Sequence, residues 1–228
     1  MFTDNNLTEL PPNLDLSMLT NGNFMFTNNN IISLPDDLDL SMLTDGSFMF
    51  QDNQLSSLPS DFELPNLIDG SYMFENNNLT ELPESLNMVN LINGQRMFAN
   101  NNLTEISGFL DLANLENGRS MFRDNNLQAL TSNNGKALPD NLNLDSLEDG
   151  TNMFIGNSLS ISDVEVLMAA MFMNYQNRNR VGGINLGFET ENALTLPNDL
   201  NYNNIRNLIL DTRGFNGDLP EGGVSIYT

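Results

Sequence analysis

The dipeptide Met-Phe recurs every 24 residues, at Met1-Phe2, Met25-Phe26, Met49-Phe50, Met73-Phe74, Met97-Phe98 and Met121-Phe122. It returns 32 residues later at Met153-Phe154, and the extra eight residues are an insertion, 131–138 (TSNNGKAL). A fixed period of this length marks a repeat architecture, in which one unit cannot bury its own apolar face and must stack on its neighbours. About six and a half such units fill residues 1–160, and a different segment, 161–228, follows.

Each unit has the same anatomy. Three residues after the Phe stands Asn5, Asn29, Asn53, Asn77, Asn101, Asn125 or Asn157. Apolar residues follow at short intervals, as in Leu55 and Leu58, and a second apolar block follows them, for example Leu38, Leu40 and Leu43. Full units end on Asn-Gly or Asp-Gly, from Asn21-Gly22 to Asp149-Gly150. Apolar side chains spaced two or three apart point inward if each unit is one coil of a solenoid. The closing Gly is expected to supply the positive φ of a sharp corner. The recurring Asn is expected to hydrogen-bond backbone groups of the adjoining coil as a ladder. The doublet Met49-Phe50 reads as a bend, which places a short parallel strand downstream, near 55–58.

These units resemble leucine-rich repeats. Residues 48–59 (FMFQDNQLSSLP) fit L-x-L-x-x-N-x-L-x-x-L-P with Phe in the first two Leu places. Residues 39–50 (DLSMLTDGSFMF) are similar to BspA-like bacterial surface repeats, with Ser41, Leu43, Thr44, Met49 and Phe50 at matching places and Asn53 where that family carries Cys. The period is one residue shorter than in that family. The resemblance implies an α/β solenoid: a right-handed, leucine-rich-repeat-like coil stack with short parallel strands.

After Leu159 the pattern stops. Ser162-Asp-Val-Glu165 reads as a capping box, with Val164, Leu167, Met168, Met171 and Phe172 at helical spacing over 162–175. A strand over 180–187, a helix over 202–213 ending at Gly214 and a strand over 223–227 complete a small α/β unit. This order is similar to C-terminal units of repeat proteins from bacteria and tailed phages, which implies a cap on the last coil. The first coil is expected to lack an equivalent, because Met1-Phe2 begins in mid-unit, and so to be frayed or covered by another subunit.

Composition excludes several chemistries. With no His and no Cys there is no Ser-His-Asp or Cys-His nucleophile, no Cys/His zinc site and no disulfide framework. A net charge of −22 opposes nucleic-acid binding, and no run approaches the length of a membrane span. Paired carboxylates such as Asp36-Asp37 and Glu148-Asp149 lie in turn-like, solvated stretches, so catalysis is not expected. No D-x-[DN]-x-[DN]-G loop is present, and turn chemistry alone accounts for the Asp and Asn corners, so no cofactor is expected, with structural calcium at those corners the alternative.

The position before each Met varies where the stack does not dictate it. Phe24, Phe48 and Tyr72 give way to Arg96, and Arg119 and Arg123 lie one unit on. Stacked, they would form an aromatic stripe passing into a basic spot, the usual anchors of a recognition surface. The expected function is a non-enzymatic recognition or adhesion module on a virion or extracellular surface. A phage tail-fibre adhesin that binds a host protein or glycan fits the resemblances and the lack of a recognisable signal peptide. A virion decoration protein docked on neighbouring subunits through its first coil is the structural alternative. A bacterial cell-surface or intracellular (cytoplasmic) interaction domain is a further one.

Overall fold

The fold is made of turns that stack. The computed structural model describes residues 2–106, 110–128, 137–139 and 142–159, together with Asp163 and Leu167. At each doublet from Met25-Phe26 onward the Met N–H donates to the carbonyl of the Gly three residues earlier, as in Met49 to Gly46 (3.0 Å), and Gln51 then donates to Phe48 (3.3 Å). The doublet therefore bends and does not run as a strand.

Backbone bonds of parallel sense tie each unit to the next. Gly46, Phe48, Phe50 and Asp52 donate to the carbonyls of Asp69, Ser71, Met73 and Glu75 (2.8–3.0 Å). Among the described residues the pairing takes the form of isolated parallel bridges, five of them along the corner column Asn21, Asp45, Asp69, Asn93, Asn117 and Asp149. The segment expected to carry the strand is more thinly laddered: Gln54 donates to Ile31 (3.0 Å) and Ser56 to Ile32 (3.4 Å), and a bridge at that offset joins Gln128 and Ser158. The physical reason is substitution. The N–H groups of Ile31 and Leu55 donate to the side-chain oxygens of Asn53 and Asn77, so a carboxamide replaces the backbone rung there.

The interior is a column of parallel rings. Phe26, Phe50, Phe74, Phe98, Phe122 and Phe154 stack at centroid spacings of 5.5–5.7 Å, and all are buried. Met49, Met73, Met97, Met121 and Met153 line up beside them with no exposed surface. Each such side chain contributes about 1.5–3 kcal/mol of burial. The register survives the insertion, since Asn117 bridges Asp149 and Phe122 stacks on Phe154 at 5.6 Å.

The corner glycines have a different reason from the one expected. Gly22, Gly46, Gly70, Gly94 and Gly118 do not adopt positive φ. A Cβ on Gly46 would lie 2.9 Å from Met73 Sδ and 3.1 Å from Leu43 Cδ2, and one on Gly22 would lie 2.7 Å from Met49 Sδ. Glycine is needed because the next unit's buried methionine occupies the space of a side chain. The left-handed positions lie elsewhere. Apart from Asn6 they form two columns: one is Asp4, Asn28, Asp52, Asn76, Asn100, Asp124 and Gly156; the other is Phe24, Phe48, Tyr72, Arg96, Ser120 and Asn152.

Two insertion residues, Ala137 and Leu138, are fully buried. The Ala137 carbonyl accepts from Ile106 N–H (2.8 Å), and the N–H groups of Ala137 and Leu138 both donate to Asp163 Oδ1 (2.7 and 2.8 Å). Asp163 and Leu167 are helical and buried. The rest of the helix expected over 162–175, the strands over 180–187 and 223–227 and the helix over 202–213 lie outside the described residues. No helix among the described residues is long and apolar enough to cross a membrane.

Candidate functional site

Two columns carry the candidate residues, one inside the stack and one on its surface. The inner column is the recurring Asn. Asn77 Nδ2 donates to the carbonyls of Phe50 (2.9 Å) and Phe74 (3.1 Å), and its Oδ1 accepts from Leu55 N–H (2.9 Å). Asn29, Asn53, Asn101, Asn125 and Asn157 repeat this pattern with their own neighbours. The reach is backward, to the preceding unit. Asn5 is exposed and its side chain donates to Thr3 O (2.7 Å). This column is structural in geometry: every contact is to backbone or within the stack.

The outer column is the left-handed position before each Met. Phe24 stacks on Phe48 with centroids 4.4 Å apart and planes 10° apart, and Phe48 stacks on Tyr72 at 4.5 Å and 7°. The Arg96 guanidinium carbon lies 5.8 Å from the Tyr72 centroid, over the ring. Phe24 is 45% exposed, and Phe48, Tyr72 and Arg96 are partly exposed. These four side chains form one continuous ridge.

The backbone under the ridge is strained. Phe24, Phe48, Tyr72 and Arg96 have φ of 56°, 60°, 61° and 55°, a region that costs a bulky residue roughly 1–2 kcal/mol and suits Gly, Asn or Asp. The neighbouring left-handed column is filled by Asn, Asp and Gly throughout, and Asn152 takes the ridge position in the last unit. Ring stacking is worth about 0.5–1.5 kcal/mol per pair, which does no more than offset the strain.

Arg96 is held in place by a buried acid. Glu75, 3% exposed, forms an ion pair with the Arg96 guanidinium and accepts from Gln51 Nε2 (2.7 Å), while Gln95 Nε2 donates to Tyr72 Oη (2.8 Å). Glu75, Gln51 and Gln95 were not singled out by sequence reasoning. The available signal was a carboxylate 21 residues before Arg96, in a column otherwise occupied, before the insertion, by Thr3, Thr27, Gln51, Ala99 and Arg123.

Arg119 and Arg123 belong to the following unit and are not in the ring stack. Arg119 Nη1 lies 4.0 Å from Asp149 Oδ2, and Arg123 Nε donates to Asp124 Oδ2 (2.8 Å). Each of the three arginines therefore has a carboxylate partner, so the expected basic spot carries little net positive charge. The corner acids are engaged in turn bonding. Asp45 accepts from Ser47 N–H (3.0 Å) and Asn21 Nδ2 (3.0 Å), and Asp69 from Ser71 N–H (2.9 Å) and Asn93 Nδ2 (3.1 Å). Among the described residues no group of three or more acidic side chains is placed to hold a metal. The chain matches no family model and no curated protein.

Proposed function

We propose that the chain is a non-catalytic recognition module whose contact surface is the ridge Phe24–Phe48–Tyr72–Arg96. The module is a leucine-rich-repeat-like, right-handed α/β solenoid closed by a small α/β cap. It acts as an adhesin on a phage virion or tail fibre and engages a protein or glycan of the host surface. The virion setting rests on the resemblance of the 24-residue units and of the C-terminal segment order.

One observation carries the reading. Three aromatic side chains and an arginine occupy, in consecutive units, a partly exposed position whose backbone conformation disfavours them. Strain that the fold does not require points to a function located there, and exposed aromatics with Arg are the residues that anchor interfaces.

The test is a double variant, Phe48→Asn with Tyr72→Asn. Asn is at home at positive φ, so the fold survives and thermal unfolding shifts by no more than about 1 kcal/mol in equivalent stability. Binding of the labelled protein to host bacteria, read by flow cytometry, is expected to fall at least tenfold. Unchanged cell binding by a folded double variant would refute the reading.

A further inference from the structure

We infer that the ridge takes a basic protein segment, bearing Lys or Arg, and not a glycan. This inference deepens the recognition reading and rests on it. It begins with which part of each ring is available. Phe48 has Phe24 on one face and Tyr72 on the other, and Tyr72 has Phe48 on one face and Arg96 over the other. The ring planes lie within 7–10° of parallel, so both faces of Phe48 and of Tyr72 are covered and these two rings meet solvent by their edges, while Phe24, 45% exposed, ends the row with Phe48 on one face. A sugar ring packs on an aromatic face, and a cation is attracted to a face and not to the electropositive edge. Edges instead offer an apolar strip that aliphatic chains can cover.

Carboxylates flank that strip. Asp45 and Asp69 stand three residues before Phe48 and Tyr72, and Asp52 stands four after Phe48. All three are partly exposed, and their side-chain bonds are to neutral donors. Among the described residues the ion pairs involve Arg96, Arg119 and Arg123 with Glu75, Asp149 and Asp124, so none of the flanking acids is neutralised by a cation. Lys and Arg are the side chains that match this pattern. Their methylene stems lie along apolar surface while the charged head reaches a carboxylate at its margin. The body as a whole, at −22, steers such a partner inward. Arg96 does not oppose it, because Glu75 cancels its charge.

The test uses three probes on the full chain: an oligolysine peptide, the same peptide with its lysines acetylated, and a neutral linear glucan oligosaccharide. Binding is read by amide chemical shifts and by calorimetry. Oligolysine is expected to shift the amides of Phe48, Ser71 and Tyr72, and acetylation, which removes charge and keeps the stem, is expected to abolish this. Asp45→Asn and Asp69→Asn keep one acceptor oxygen, for the N–H of Ser47 or Ser71, and lose the Oδ2 that accepts from Asn21 or Asn93. With folding checked by thermal unfolding, each is expected to weaken oligolysine binding roughly 2- to 5-fold, the range for a rim charge pair. Asp36→Asn with Asp37→Asn, two exposed acids at another corner, is expected to change it far less. Equal loss from the two sets would show diffuse attraction to a −22 body and overturn the inference. Ridge shifts with the oligosaccharide and none with oligolysine would overturn the partner class while leaving the ridge as the contact surface. If no probe moves the ridge, the basic-segment inference falls, and the cell-binding loss of Phe48→Asn/Tyr72→Asn decides separately whether the recognition reading stands.

Discussion

Replacing Asn77 by Ala isolates what the inner ladder contributes. The substitution leaves the N–H of Leu55, a residue with no exposed surface, without its partner at 2.9 Å. It also removes the donors to Phe50 O and Phe74 O, but both carbonyls keep another: Phe50 O accepts from Asn53 Nδ2 (3.1 Å) and Phe74 O from Asn101 Nδ2 (2.9 Å). The cost is therefore one orphaned buried donor, about 1–3 kcal/mol, and two lost bonds at about 0.5–1.5 kcal/mol each, for a total of roughly 2–6 kcal/mol. Asn5 supplies the control. It holds the same place in its unit but is exposed and bonds only locally through its side chain, so Asn5→Ala is expected within about 0.5 kcal/mol of the parent. Urea unfolding followed by far-UV circular dichroism, compared at unchanged slope, measures both. Equal effects of the two substitutions would refute the assignment of the ladder as a load-sharing element of the stack.

Gly46→Ala is expected to destabilise by about 1–3 kcal/mol through overpacking against Met73. Combining it with Met73→Ala should recover part of that loss, and strict additivity in the double-mutant cycle would show that the corner glycine has some other reason. A pH effect follows from Asp15 and Asp39, whose carboxyls are held below the ordinary value of 3.8 by hydrogen bonds from Ser17 (side chain first, then backbone) and Ser41 (backbone first, then side chain). Because these folded-state values are depressed, the stabilisation is present above the unfolded value and lost as pH falls through the folded one. Carboxyl NMR titration should show both midpoints below 3.8, and Ser41→Ala should raise that of Asp39 while leaving Asp15 in place.

Much of the stack could be read from the chain because each unit repeats the same local problem. The 24-residue offset foretells that Phe50 lies between Phe26 and Phe74, and the resumption of the pattern after 138 foretells that Phe154 lies on Phe122. What escaped depends on contacts between units that no single unit reveals. A corner Gly read alone suggests a turn with positive φ; only with the next unit in place does Met73 Sδ appear where its Cβ would be. Arg96 read alone suggests a basic spot, but its neutralising partner is on a diagonal, 21 residues back, not on the repeat offset. Asp163, read only as an inner member of a capping box, receives two N–H groups from an insertion that has no counterpart in the other units.

The two left-handed columns show how surface choices separate from structural ones. Both impose the same backbone conformation, with φ between 50° and 76°. In the column of Asp4, Asn28, Asp52, Asn76, Asn100, Asp124 and Gly156, every residue is a type that tolerates it. In the ridge column the first four residues are Phe, Phe, Tyr and Arg, and a tolerant Asn is reached only at Asn152. Turn chemistry cannot explain why one column follows its rule and the other departs from it, because the backbone problem is the same. Core packing cannot explain it either. The buried Phe50 column already fills the interior at 5.5–5.7 Å spacing, and Phe48, two residues away, stacks in a second, tighter column that remains partly exposed. The departure spans consecutive units, so it builds a continuous strip and not scattered exceptions. The proposed contact with another molecule would give such a strip a physical use.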